Sequence, residues 1–211
     1  MTLTETLSAA NKSNRTKIPV DILAEMDSAT AKLVDEGLSS KVIKKGEVFP
    51  EFELPNVKNT KVSLSEISKS GKTIICFYRG GWCPYCNIQL SALQKALPEF
   101  EEKGANLVAI TPETPDNSLT TAEKNALNFE VLSDIDNKLA KELGLVFQLP
   151  ESIQTIYSQF GLDLVKHNQN EDYELPMAAT FVLNENKEVV YRFVDEDYTK
   201  RADILDILAA L

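Results

Sequence analysis

What this sequence is short of narrows it first. It has no surplus of basic residues: 22 Lys and Arg stand against 32 Asp and Glu, a net charge of −10, with the cations dispersed along the chain. That balance argues against nucleic acid or an anionic membrane surface as partner. No apolar run approaches the roughly 18 residues that mark a membrane span. Met1–Thr6 lacks the basic start and apolar stretch of a secretory signal, so the expected location is the cytoplasm. Cysteine is scarce: of three, two lie in a single Cys-x-x-Cys. That is too few for a disulfide framework or a four-ligand zinc site, and it fits a reducing compartment where thiols are kept for chemistry. The one histidine, His167, sits in a polar segment and reads as solvent-exposed rather than as a catalytic base. With 43% apolar and 26% charged residues and no repeat, the 211 residues read as one globular domain with an appendage.

What is present concentrates in Phe77-Tyr78-Arg79-Gly80-Gly81-Trp82-Cys83-Pro84-Tyr85-Cys86. An apolar, β-branched run, Thr73–Phe77, leads into it. Ile88, Ala92, Leu93, Ala96, Leu97 and Phe100 follow at helical spacing. The cysteines therefore fall where a buried strand turns into a helix, with Gly80 and Gly81 permitting the turn, Cys83 near the N-cap and Pro84 at the first helical position. A helix N-terminus favours an anion, so Cys83 is the expected thiolate and Cys86, one turn on, the thiol that closes a disulfide with it. Arg79 adds positive charge. Trp82 and Tyr85 flank the thiol as the rim of a groove or as packing. Cys76, inside the apolar strand, reads as buried and inert.

Along the chain, residues 1–17 show little periodicity and are expected to be loosely docked. Ile22, Leu23, Met26, Ala29, Leu33 and Val34 form one amphipathic stripe ending at Gly37. It reads first as a helix packed on its own domain and second as a dimerisation helix, which leaves room for a homodimer. The boundary between this extension, 1–45, and the main domain, 46–211, falls at Lys44-Lys45-Gly46. A short hairpin around Asn59-Thr60, a Ser-capped helix near Glu66, the central strand 73–78, and a helix expected to kink at Pro98 and to end at Gly104 come next. Strands near 107–110 and 129–132 alternate with helices near 118–126 and from Asp134 or Asp136 to Gly144. Residues 149–160 read as a helix and 168–173 as a polar loop. Strands 180–183 and 189–194 are joined by a turn, and an amphipathic helix built on Ile204, Leu205, Leu208 and Leu211 follows. The alternation implies an α/β fold, a central mixed sheet flanked by helices.

The order of hairpin, strand, Cys-x-x-Cys helix, βα units, hairpin and helix resembles the thioredoxin fold. The chain more specifically resembles the peroxiredoxin-like branch of the alkyl hydroperoxide reductase and thiol-specific antioxidant family. The residues that carry the resemblance are Gly46–Pro55, Phe77–Cys86, Ala109–Thr114, Val131–Asp134, Leu175–Val182 and Asp197–Arg201. It implies a peroxide-reducing enzyme in which Cys83 attacks a peroxide oxygen and becomes a sulfenic acid. Cys86 resolves it as a disulfide, and thioredoxin, glutaredoxin or glutathione restores the thiols. No metal or organic cofactor is implied. Thr111, in a loop expected beside the Cys83 turn, is a further site residue.

Two departures accompany the resemblance. Where the family places a proline seven residues and a Thr or Ser three residues before the reactive cysteine, this chain has Cys76 and Gly80. The family's second active-site arginine falls near Ala178, which leaves Arg79, Arg192 or Arg201 to supply the charge. Ala178 also stands where thioredoxins and glutaredoxins have a cis-proline. Against that, Trp82-Cys83 is a thioredoxin-like start, and Cys-Pro-Tyr-Cys is the glutaredoxin active-site sequence. A thiol–disulfide oxidoreductase using the same pair is therefore the second reading, and a non-enzymatic redox sensor the third. Tyr198 and Arg201 read as a structural tie of the last helix.

Overall fold

The computed structural model describes residues 1–211. The first surprise lies in residues 1–17, expected to be loose. They form helix α1, Leu3–Arg15, started by a capping box in which Thr2 accepts from the Glu5 N–H and the Glu5 carboxylate accepts from the Thr2 N–H. Leu3 and Leu7 are buried, and Thr4 donates to Asp203 through its hydroxyl at 2.8 Å. A low density of apolar residues hid a helix held by two of them. The extension thus contains two α-helices, not one, the second being α2, Val20–Asp35. The Arg15 guanidinium grips Asp27 bidentately at 2.8 and 2.7 Å across the junction.

A hairpin of β1, Glu53–Pro55, and β2, Lys61–Ser63, follows, with Ser63 capping α3, Leu64–Ile67. The central strand β3, Lys72–Phe77, then leads to α4, Pro84–Glu102, which continues past Pro98. Next come β4, Ala105–Thr111; α5, Pro115–Lys124; β5, Glu130–Ser133; and α6, Lys138–Glu142. The stretch 145–175 holds more than the one expected helix. Strand β6, Val146–Gln148, precedes α7, Glu151–Gln159; α8, Leu164–Asn168, and β7, Glu174–Pro176, then follow, with β7 pairing antiparallel to β6. Strands of three residues and a helix of five are too short to show a period in sequence. The chain then forms β8, Ala179–Leu183, β9, Val189–Val194, and α9, Ile204–Ala210.

Five strands form one mixed sheet in the order β5-β4-β3-β8-β9. β3, β4 and β5 are parallel; β8 runs antiparallel to β3, and β9 to β8. Alternation along β3 divides the core, because successive side chains point to opposite faces. Ile75 and Phe77 join Phe49, Leu132 and Phe181 on one face, while Ile74 and Cys76 meet Leu93, Leu97 and Phe100 of α4 on the other. The parallel strands β3, β4 and β5 all end on the same edge, so the turn into α4 and the loop after β4 meet there. α2 lays Ile22, Met26 and Ala29 against Ile153 and Tyr157 of α7, which is the own-domain packing expected of that stripe. No helix is long and apolar enough to cross a membrane.

Candidate active site

Cys83 occupies the N-cap of α4 with extended backbone, and Pro84 is the first helical residue. The turn before it is built around two missing side chains. Gly80 has φ +152°, and a Cβ there would come within 2.2 Å of the Trp82 Nε1. A Cβ on Gly81 would come within 1.9 Å of the Thr121 Oγ1. The indole thus fills the space that a side chain on residue 80 would need. The Cys83 N–H closes the turn on the Gly80 carbonyl at 3.1 Å, and Asn87 donates to the Gly81 and Cys83 carbonyls at 2.8 and 3.0 Å.

Two buried arginines face the thiols. Arg79 is 2% exposed; it donates to the Tyr157 hydroxyl, and its guanidinium carbon lies 5.1 Å from the Trp82 ring centre and 4.6 Å from that of Tyr198. Arg201 is also buried. It donates to the Cys86 sulfur at 3.4 Å and to Gln89 Oε1 at 2.7 Å, and it holds the Tyr198 and Lys200 carbonyls. The structural-tie reading of Arg201 and Tyr198 is therefore incomplete: both belong to the thiol site as well. Arg192 donates to the Ser39 carbonyl and takes no part.

This arrangement acts on both thiols. Burial raises the Cys86 thiol, yet a hydrogen bond from Cys83, the Arg201 guanidinium, the Arg79 backbone N–H and the Arg79 charge outweigh it and pull the group down to about 5. Cys83 is pushed up by that same hydrogen bond and by burial. The helix terminus favours Cys83 as the resting thiolate, whereas the two guanidiniums pull the negative charge of the pair toward Cys86. Cys76 is inert as expected, its thiol pushed up to about 12 by burial. The pH dependence follows in sign. Alkylation of the pair by iodoacetamide is expected to be level from about pH 8 to pH 6 and to fall about tenfold per unit once the pH drops below about 5, because the thiolate is lost there. A profile rising steadily to pH 9 would place both thiols at ordinary values.

Access is narrow. Cys83 is 1% and Cys86 0% exposed. Cys83 lies at the floor of a cleft of about 540 Å³ with Arg79, Trp82, Pro84 and Tyr85, walled by Tyr157, Tyr198 and His167. Its roof is the extension: Asn14, Lys17, Ile18 and Met26. Tyr85 donates its hydroxyl to Asn11 at 3.1 Å and packs edge-on to Tyr198, so it anchors the roof as well as flanking the thiol. Two other clefts, one over Asn56, Leu107 and Phe129 and one between α1, α4 and α9, contain neither active-site thiol.

Of the residues singled out in sequence, Arg79, Trp82, Cys83, Pro84 and Tyr85 line this cleft; Gly80 shapes it from behind the indole, and Cys86 lies beneath it. Thr111 does not line it. Its loop reaches the site one step on, where the Glu113 Oε2 accepts the Gly81 N–H at 2.8 Å, while the Thr111 hydroxyl accepts the Glu113 N–H at 3.4 Å. Sequence reasoning missed Glu113, although the loop carrying it was placed beside the turn. The reading of His167 as solvent-exposed is corrected: its side chain is 30% exposed, with Nδ1 at 2.8 Å from the Glu113 Oε1. Nothing in the local sequence pairs residues 54 positions apart.

A mixed five-stranded sheet with a Cys-Pro-Tyr-Cys turn between its central strand and a capped helix defines a thioredoxin-like dithiol protein. The model of the AhpC/TSA family matches residues 45–192, and the chain belongs to that family. Peroxiredoxin Bcp of Escherichia coli is 28% identical over 103 residues, covering 49% of this chain and 65% of that protein. Chloroplastic peroxiredoxin Q of Sedum lineare is 29% identical over 141 residues, 67% of this chain and 75% of that protein. The first of these relatives is thus spanned over less than two thirds of its length. In fold, the crystal structure of peroxidoxin BcpB from Mycobacterium tuberculosis superposes with a TM-score of 0.63 at 21% identity, over 80% of this chain and 96% of that one.

Proposed function

We propose that this protein is a thiol peroxidase that reduces hydrogen peroxide or an organic hydroperoxide, with Cys83 as nucleophile. The observation that carries the reading is the position of Cys83, 1% exposed at the floor of a cleft of about 540 Å³. A small oxidant fits such a cleft, whereas any protein partner meets the roof formed by the extension. Cys83 passes its proton to Cys86, attacks the peroxide and becomes a sulfenic acid. The Cys86 sulfur then attacks that sulfur as its proton passes to the departing hydroxyl, which leaves as water, and the disulfide closes. Thioredoxin, glutaredoxin or glutathione returns the dithiol, after the roof has moved aside. Membership of the AhpC/TSA family and the likeness to proteins named peroxiredoxin support this reading, and the cytoplasm is the location it fits.

The second reading, a thiol–disulfide oxidoreductase, rests on Trp82-Cys83-Pro84-Tyr85-Cys86. Stopped-flow fluorescence of Trp82, the only tryptophan, separates the two. Reduced protein is expected to respond to hydrogen peroxide orders of magnitude faster than free cysteine does, and slowly to a mixed glutathione disulfide. The reverse order assigns the oxidoreductase.

A further inference from the structure

The reduction of a hydroperoxide leaves an alkoxide or hydroxide that needs a proton, and the cleft contains one group built to give it. Glu113 is 1% exposed, and a carboxylate so buried is costly without partners on both oxygens. One oxygen takes the Gly81 N–H of the active turn; the other takes Nδ1 of His167. A single carboxylate therefore fixes the Cys83 turn and the imidazole relative to each other. The ring is pinned from its backbone too, since the His167 carbonyl accepts from Asn117 at 2.9 Å and from the Thr114 N–H at 3.3 Å. With Nδ1 committed to Glu113, Nε2 is the nitrogen left for the cleft that His167 and Cys83 both line.

The other proton-bearing groups of that cleft are poorer donors. Arg79 does not give up a proton at any working pH, and it is held still more firmly by the Tyr157 hydroxyl and the thiols. Burial pushes the Tyr85 and Tyr198 phenols above their ordinary value. Tyr157 is already engaged by Arg79. Lys17 lies at the exposed outer end, on the roof. Lys166 and Asp163, on the same helical segment as His167, do not line the cleft. Histidine is the side chain that both carries and releases a proton near neutral pH.

We propose that His167, positioned by Glu113, is the general acid of peroxide reduction. The inference rests on the thiol peroxidase reading above. The Cys83 sulfur attacks the terminal oxygen of R–O–O–H; the S–O bond forms and the O–O bond breaks with its electron pair on the departing oxygen. Sulfur is oxidised by two electrons to the sulfenic acid, and the peroxide is reduced. In the imidazolium form Nδ1–H stays on Glu113 while the departing RO⁻ takes the Nε2 proton and leaves as ROH, and the neutral imidazole left behind is reprotonated at Nε2 from solvent.

The test uses the leaving group. A peracid departs as a carboxylate, which needs no proton; hydrogen peroxide and tert-butyl hydroperoxide depart as hydroxide and alkoxide, which do. For the full-length His167→Gln protein, the rate constants with the two hydroperoxides are expected to fall about 100-fold, while that with peracetic acid is spared. Glu113→Gln is expected to show the same selectivity with a smaller loss. Unchanged alkylation by iodoacetamide confirms in each variant that the thiolate and fold are intact. Equal losses with all three oxidants assign His167 a merely structural role and overturn the inference, as does no loss with any. A wild-type protein that reacts with none of them faster than free cysteine overturns the peroxidase reading itself.

Discussion

Cys83→Ser is expected to abolish peroxide consumption, whereas Cys86→Ser is expected to leave a single, slowed turnover. The difference comes from geometry. Cys83 is the thiol at the cleft floor, and a serine hydroxyl at the same N-cap has neither the acidity nor the polarisability to attack an O–O bond. Cys86 lies beneath it, 0% exposed, and cannot meet the oxidant first. Its loss removes two services: the thiolate that accepts the Cys83 proton, and the sulfur that resolves the sulfenic acid. Mass spectrometry of peroxide-treated Cys86→Ser should show one added oxygen on Cys83 and no disulfide, with one equivalent consumed. Steady cycling of Cys86→Ser with thioredoxin would remove the resolving role from Cys86.

Arg201→Met is expected to have the second largest effect. The Arg201 guanidinium, 4% exposed, has the Cys86 sulfur at 3.4 Å as its anionic partner. Without it the thiol rises while the Arg79 charge and N–H remain, and reactivity toward iodoacetamide and peroxide alike is expected to fall by about tenfold, the effect of one pKa unit. The same pairing sets the redox balance, because closing the disulfide deletes the anion while both guanidiniums stay buried. A lowered Cys86 thiol favours the dithiol relative to one titrating above neutrality. Equilibration against glutathione should accordingly find the Arg201→Met disulfide harder to reduce than that of the wild type. Equal potentials would show that Arg201 is neutralised by Gln89 and the carbonyls rather than by the thiolate.

The elements that position the nucleophile were legible because each carries a local signal. Thr73–Phe77 is an unbroken apolar run, Gly80-Gly81 marks the turn, and Pro84 marks the first helical residue. The electrostatic surroundings of the thiols were not legible, because they depend on Arg201, which lies 115 positions from Cys86. A helix-terminus rule alone favours Cys83; the buried guanidiniums pull toward Cys86. The roof over the cleft was hidden for another reason. α1 is polar on most of its surface and is held by a capping box, Asp203 and only two buried leucines, so periodicity did not reveal it. Glu113 and His167 are joined by tertiary contact alone.

The interlocking of Gly80 with the Trp82 indole also bears on how such a site changes over generations. On this backbone a threonine at 80 and a tryptophan at 82 exclude each other, since the added Cβ would lie 2.2 Å from the indole nitrogen. Replacing Gly80 first meets that collision at a φ of +152°. Replacing Trp82 first empties the space beside Arg79 and Tyr157, against which the ring packs, tilted 60° to the tyrosine. The two positions are therefore coupled, and a side chain at 80 calls for a compensating change at 82.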